Sequence, residues 1–486
     1  MKAFWEKTMF ETFFRDLSLD RMMEDTRYLT EETPMRLAGS QMERKAAAYI
    51  EAQFKAAGIP VELIEIDGYV SFPHGARVEV LSPVRRTIEA RAFAQAFPTP
   101  PEGVEAEMVF VGSGGLADYE GLDVAGKITL AALSYSPPRP EKVRIATVNG
   151  SIGQIMMNWG LPEHEVIPMG TCKAIWGNPS TSNVDRMPTI PAIGISKKDG
   201  NWLAELAAQG PVRVRIFCET ENRWARMVLP LARVEGTAEP EKFVLVNGHY
   251  DAWAGGATDN STGNAAMIEM ARVFHKHRDR LRRSIVFAFW PGHESGIMEG
   301  SSWYADRYWD DLNRNCVGAM NLDSLGMMQA TQYSAYCSRE LLPFHQEVTE
   351  EVLGLKNHEP HLLQRTGDQS FFGLGIPSML VTHEHPDELK KAWAGAILGW
   401  WYHSELDTMD KVDPDILLDG AKMATAYAAR LAGDAVLPYD FVPEVERIEA
   451  RAAELSAYDV DIDLSRIVDE IAALKANAAR LAERGR

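Results

Sequence analysis

Cysteine is scarce. The 486 residues hold four, Cys172, Cys218, Cys316 and Cys337, with no CxxC pair among them. That excludes a zinc knuckle and a disulfide scaffold and leaves buried thiols as the expectation. Long apolar runs are also missing. No stretch reaches the roughly 18 residues of a membrane span, and the opening MKAFWEKTMFETFFRDL interleaves charges with aromatics where a secretion signal would be continuously apolar. Positive charge is in deficit. Fifty Lys and Arg stand against 69 Asp and Glu, a net charge of −19, and no basic cluster offsets it, so neither nucleic acid nor a membrane is an expected partner. There are no internal repeats or low-complexity tracts. An acidic cytoplasmic protein is expected, and a 46% hydrophobic chain of this length can build more than one core.

Apolar spacing predicts an α/β protein: a mostly parallel mixed sheet with helices on both faces. Residues 41–57 carry Ala47, Ile50 and Phe54 on one helical face, stop at Gly58 and Pro60, and lead into a strand at 61–66. From about residue 68 the texture changes to short apolar runs broken by Gly and Pro, including VEAEMVFVGSGG and SYSPPRPEK, which suits a small β-rich insert. The helix-and-strand pattern returns near residue 198. The expected organisation is a catalytic α/β unit of residues 1–67 and 196–435, an insert of 68–195, and a helical tail of 436–486. In that tail Ile467, Ile471, Leu474 and Ala478 form one stripe, to be packed on the parent domain or on a partner.

Polar residues follow the apolar runs of the α/β part. Phe243 to Val246 leads to His249 and Asp251, Ile285 to Trp290 leads to His293 and Glu294, and Val317 to Leu322 leads to Asp323. Continuous apolar runs suit strands covered on both faces. Ligands of such sheets bind outside the carboxyl ends of the strands, which would bring these residues into one crevice. Histidines with carboxylates and no cysteine are the ligand set of a catalytic zinc, manganese or cobalt site. Asp251, two residues after His249, could orient a ligating imidazole from behind. Asp259, in the Gly-rich GGATDNSTG ahead of a helix, is unhindered enough to bridge two cations.

The stretches VNGHYDAW, GGATDNSTG, FAFWPGHESGIMEGSSWYA, NLDSLG and WYHSELDTMDKVDP together resemble the M28 metallopeptidases, most closely the branch that includes glutamate carboxypeptidase and the transferrin receptor. Weaker likenesses extend the resemblance. GLADYEGLDVAGKI is similar to the protease-associated insert, and LPYDFVP plus the tail to that branch's dimerisation region, which implies a homodimer. The resemblance implies a zinc-peptidase-like fold and two divalent ions, zinc first and manganese or cobalt as alternatives, bridged by Asp259. His249 and Asp323 would complete one site, and Glu294 and His403 the other. Tyr402 matches a tyrosine that helps stabilise the tetrahedral intermediate. The implied activity is hydrolysis of an amide or peptide bond, in the manner of an aminopeptidase, a carboxypeptidase or an N-acyl amino acid amidase. The alternatives are a metal-dependent lyase, another non-peptidase member, or a receptor-like binding protein; retention of all five ligands speaks against the last.

Two positions depart from the family pattern: Gln369 in QRTGDQSFF stands where a histidine follows the aspartate, and His293 stands beside a ligand. Active members carry two adjacent glutamates, a general base followed by a ligand, and this chain reads Gly292-His293-Glu294. Two dications (+4) against Asp259, Glu294 and Asp323 (−3) leave the site at +1 when His293 is neutral. That charge favours hydroxide or an anionic substrate group and resists protonation of His293. A neutral imidazole can still take a proton from water and pass it on, a role worth about 10²- to 10⁴-fold in rate.

The substrate is expected to be a small amide or short peptide. Trp253 is the best candidate for a pocket wall among Trp253, Trp290, Trp303, Trp400 and Trp401. His383 and His385, after a strand at 378–382, are placed near the same crevice. Arg365 could hold a substrate carboxylate, with Asp368 close by. An aminopeptidase would instead need Glu384 or Glu405 to hold an α-ammonium group.

Overall fold

The computed structural model describes residues 10–355, 361–363, 367–458 and 464–485. Helix α1 (Gln41–Ala56) begins where the Ser40 hydroxyl accepts the Glu43 amide at 3.0 Å. The Glu43 carboxyl turns inward to accept the amides of Gly39 and Val228, and burial pushes it up to about 8.

The first strands are β1 (Val61–Ser82), β2 (Arg86–Ala92), β3 (Val104–Phe110), β4 (Ile128–Ala132), β5 (Gly153–Met157) and β6 (Ala192–Ile195). Helices α2 (Arg139–Val148) and α3 (Lys197–Gln209) accompany them. Then come β7 (Val212–Val234), β8 (Glu239–His249), α4 (Thr262–Lys276), β9 (Arg283–Trp290), α5 (Glu299–Arg307), β10 (Cys316–Leu322), β11 (Gln332–Cys337), β12 (His361–Leu362), β13 (Ser378–Glu384) and α6 (Pro414–Gly433). The chain closes with α7 (Val442–Ser456) and α8 (Ser465–Gly485).

Hydrogen bonding links all these strands in the order β1-β2-β6-β5-β4-β3-β7-β9-β8-β10-β13-β11-β12. At its centre β8, β9, β10 and β13 run parallel, flanked by antiparallel β7 and β11. Alternation along these strands builds two cores. Val244, Val246, Ile285 and Phe287 face α1, α4 and α6, while Phe243, Leu245, Val286 and Ala288 face the side covered by α5. All eight residues of β9 are buried, which is why its sequence shows no polar alternation.

The insert is made differently. Since β1 pairs with both β2 and β7, its strands close on themselves around a separate core of Val78, Ile88, Ile128, Ile155 and Ile193. The expected boundary at 67/68 falls inside β1, which continues for 22 residues. Gly68 reads as a break but serves packing, since a Cβ there would meet the Met227 side chain at 2.4 Å. The boundary at 195/196 is crossed as well, because Leu203 of α3 and Val212, Val214 and Ile216 of β7 belong to the insert's core. In the tail, Ile471 and Ala478 pack on Val445 and Ala452 of α7, forming a cluster of their own, while Ile467 and Leu474 are exposed.

A fully buried ion pair, Lys173 Nζ to Glu299 Oε1 at 2.8 Å, joins the insert to α5. Burial pushes Glu299 up to about 7 against the pull of Lys173. Lys173→Met is expected to destabilise the protein by about 3 kcal/mol in urea unfolding, because it strands a buried carboxyl. The double change Lys173→Met/Glu299→Leu should recover most of the loss; an additive double variant would mean the pair is not coupled.

Candidate metal centre and active site

Parallel neighbours end side by side, so β8, β9 and β10 deliver His249, the turn 291–294 and Asp323 to one rim of the sheet. Gly292 enables that turn. Its φ is +69°, and a Cβ would sit 3.1 Å from Glu299. Asp251 fixes the turn from below, its two carboxylate oxygens accepting the amides of His293 (3.2 Å) and Glu294 (3.0 Å). Asp251 was expected to orient His249 with its carboxylate. The closer partner of His249 Nδ1 is instead the Asp251 main-chain oxygen at 3.0 Å, with the carboxylate at 3.6 Å. An Nδ1–H donated there leaves Nε2 as the ligand atom.

Asp259 reaches the rim from the turn before α4. That turn is held by Asp407, which accepts the Thr258 amide and hydroxyl (2.9 and 2.8 Å) and the Asp259 amide (3.1 Å). The two oxygens of Asp259 face different imidazoles. Oδ1 lies 3.1 Å from His249 Nε2 and Oδ2 lies 3.2 Å from His403 Nε2. Asp323 Oδ1 stands 3.6 Å from His249 Nε2, and Glu294 Oε2 stands 3.2 Å from His403 Nε2. The sequence-predicted ligands are thus brought together in two groups sharing Asp259.

Hydrogen bonding does not satisfy this arrangement. Asp259 Oδ2, Glu294 Oε1 and both ring nitrogens of His403 are buried without a well-formed partner. Three carboxylates around two imidazoles also distort their proton affinities. Burial disfavours charge on His403, but Glu294 and Asp259 outweigh it and raise it to about 9; His249 is raised likewise, burial being outweighed by Asp323, Asp251 and Asp259. Such a place lacks positive charge, and the donor set of imidazole nitrogens and carboxylate oxygens fits a divalent transition metal.

His293 stands beside the His249 group. The two rings are stacked, centroids 3.9 Å apart and planes 13° from parallel, and His293 shares with His249 and Asp323 a cluster of ligand-type atoms within 4.8 Å of one another. Its Nδ1 lies 2.9 Å from Asp368 Oδ2. Burial and His249 oppose charge on His293, and Asp368 and Asp323 raise its affinity for a proton in the cation-free site.

Tyr402 stacks on the His403 ring at 3.9 Å, and burial, then Asp259 and Glu294, raise its hydroxyl well above the usual range. Trp253 is buried 6.2 Å from the His403 ring, with its indole N–H unpartnered. Trp290 and Trp401 are fully buried core residues.

Two predicted pocket residues are elsewhere. His383 packs against Gly420 of α6 and edge-on to Tyr333, and burial pushes it down to about 4. Strand alternation turns it to the helix-covered face, away from the crevice. His385 is spent on the loop that carries His403, with its ring nitrogens 3.0 and 3.1 Å from the carbonyls of Ile397 and Met328. Arg365 lies outside the described residues.

Three residues at the site carry no motif of their own in the sequence. Asp407 stood in SELDTMD, and only its partners reveal its task. Arg36 is fully buried and donates to the carbonyls of Leu29, Tyr250 and Gly255 and to the Ser261 hydroxyl, tying the Asp259 turn to the N-terminal segment. Arg139, at the start of α2, comes from the insert. Its guanidinium packs on Gly170, beside Met169, whose amide donates to the His403 carbonyl at 2.8 Å. Burial lowers its proton affinity against the opposing pull of Tyr402 and Glu294.

Residues 231–428, which hold every proposed ligand, match the sequence profile of Peptidase family M28. A probable glutamate carboxypeptidase of Zea mays is 24% identical over 489 residues, covering 87% of this chain and 68% of its own length. An aminopeptidase from Aneurinibacillus sp. strain AM-1 superimposes with a TM-score of 0.64 at 25% identity, over 88% of this chain and 97% of its own. The fold is also that of a peptidase M28 precursor from Shewanella amazonensis, with a TM-score of 0.74 at 20% identity over 89% and 98% of the two chains. Residues 231–428 form a domain of peptidase family M28, and the chain, similar over most of its length to a protein of the glutamate carboxypeptidase branch, is a metal-dependent hydrolase of peptide bonds.

Proposed function

We propose that the chain uses two zinc ions to hydrolyse the amide bond of a small substrate bearing a carboxylate, an N-acyl amino acid or short peptide, with His293 carrying the proton. The observation behind the two-ion reading is the split of Asp259, whose oxygens face His249 and His403 separately. Zinc held there would polarise the amide carbonyl and acidify water.

The chain's own residues have the following tasks. His293 Nε2 takes a proton from the attacking water and returns it to the leaving nitrogen. His293 stacks on the His249 ring and engages Asp368 through Nδ1, which sets it beside the residues that would hold zinc and supports a proton-transfer role. The Tyr402 hydroxyl, kept protonated by its surroundings, donates to the oxygen that gains charge. Arg139 supports the carboxylate-bearing substrate. Among the described residues it has no ion-pair partner; its guanidinium lies 5.1 Å from the Phe93 ring centroid, it makes one long hydrogen bond to the Thr171 carbonyl at 3.4 Å, and its Nε is unpartnered. A guanidinium in that state can take a carboxylate bidentately. Trp253 would wall the pocket. A cytoplasmic setting is supported by the four buried free thiols, and a homodimer through α8 by its exposed Ile467, Val468, Leu474 and Leu481.

His293→Ala should stay folded and metal-loaded while turnover of N-acyl amino acids falls at least about tenfold; parental turnover would make His293 a bystander. His293→Glu should restore hydrolysis. Elemental analysis should find about two zinc ions per chain, with activity lost to a strong chelator and regained with zinc. Because the cation-free His403 is raised to about 9, zinc must displace its proton at neutral pH. Zinc affinity should therefore rise by about tenfold per pH unit up to that value for each proton released. Arg139→Ala should raise KM about 10- to 100-fold for carboxylate-ended substrates, the worth of a charged hydrogen bond, and leave their amidated counterparts little changed.

A further inference from the structure

His293 is one of the residues at which this chain leaves the family pattern, and its other nitrogen is already engaged. Nδ1 lies 2.9 Å from Asp368 Oδ2, a contact between residues 75 apart in sequence. Asp368 is itself held. Its Oδ1 accepts the Ser301 hydroxyl at 2.7 Å, its amide reaches Asn321 Oδ1 at 3.4 Å, and the residue is 1% exposed. Since Ser301 spends its hydrogen on Asp368, the 2.9 Å contact between Ser301 and Ser370 must have Ser370 as donor, and Ser370 in turn accepts from the Trp176 indole N–H at 3.0 Å. A file of hydrogen bonds therefore runs from Trp176 in the insert through Ser370 and Ser301 to Asp368, all oriented toward His293.

An ionised carboxylate only accepts, so the hydrogen of neutral His293 must sit on Nδ1. The lone pair is then on Nε2, the nitrogen not engaged by Asp368. A glutamate base needs no such help, because either of its oxygens can take a proton. An imidazole has two tautomers, and only one is useful here.

We infer that Asp368 is the positioning residue for His293, and that the two together, an imidazole aimed and fixed in one tautomer by a buried carboxylate, take the place of the single glutamate. The inference rests on the reading of His293 as proton carrier. In the step it serves, the water oxygen forms the new C–O bond as its proton passes to Nε2. The same proton then leaves Nε2 for the nitrogen as the C–N bond breaks, while the hydrogen on Nδ1 stays with the ring throughout.

The test compares Asp368→Asn, Asp368→Glu, Ser301→Ala and His293→Ala in the zinc-loaded enzyme, with an N-acyl amino acid as substrate and histidine ¹⁵N NMR to read the tautomer, the His293 signal being assigned by its loss in His293→Ala. Asparagine keeps the shape but offers an NH₂ that stabilises the opposite tautomer. Asp368→Asn is expected to lower kcat about 10- to 10³-fold, with KM and zinc content within about twofold, and to shift hydrogen from Nδ1 to Nε2. Asp368→Glu should regain part of the rate, and Ser301→Ala should lose less than Asp368→Asn. Full kcat in Asp368→Asn alongside a crippled His293→Ala would overturn the positioning role alone. An unchanged tautomer in Asp368→Asn would overturn it too. Parental turnover in His293→Ala would remove the reading on which it rests.

Discussion

The centre of this molecule is a local deficit of positive charge. Asp259, Glu294 and Asp323 converge on His249 and His403 at the strand ends, and Asp259 Oδ2, Glu294 Oε1 and both His403 nitrogens are buried there without a well-formed partner. Three carboxylates are costly in such a place without cations, and imidazoles can offset them only by holding protons they would ordinarily release at neutral pH. The surroundings keep the groups from moving apart. Asp407 clamps the turn of Asp259, Asp251 clamps the turn of His293 and Glu294, and Arg36 ties the Asp259 turn to the N-terminal segment. The same frame that makes the site electrostatically unfavourable when empty makes it ready for metal.

The sheet rim supplies ligands, and the insert supplies much of what surrounds them. Gln95 and Thr171 donate to the Ser295 carbonyl, just past the turn of Glu294, and Met169 donates to the carbonyl of His403. Lys173 reaches Glu299 on the helix that follows the turn, and Arg139 brings a cation to the crevice. The turn of residues 291–294 is thus held from both lobes, so a shift of the insert would disturb His293, Glu294 and Arg139 together. This explains why β1 and β7 form one long ribbon: a stiff antiparallel pair fixes the insert's position better than a flexible linker could.

Legibility in the sequence followed the reach of each signal. His249, Glu294 and Asp323 stood out because each follows an apolar run that only a doubly covered strand requires, and the parallel order of those strands then brings them together. Asp259 was marked by its Gly-rich turn. His383 and His385 stand at a strand end without facing the crevice, because the alternation of β13 and the demands of a neighbouring loop direct the two rings elsewhere. The strand β1 and the insert's core run past the sequence-based limits for a related reason. A glycine that makes room for Met227 looks, in a one-dimensional reading, the same as a glycine that ends a strand.

What the sequence by itself determined is therefore the sheet, the residues at its rim and the exchange of a glutamate for His293, because each is written in local periodicity or in a contiguous motif. Tertiary structure alone decided which nitrogen of that histidine is free, by bringing Asp368 to it from 75 residues away, and placed Arg36 and Arg139 at the site from segments with no metal-binding pattern. Partners so distant leave no periodic trace, since their meeting depends on how two lobes and a dozen connections close around one rim, and not on the composition of any single stretch.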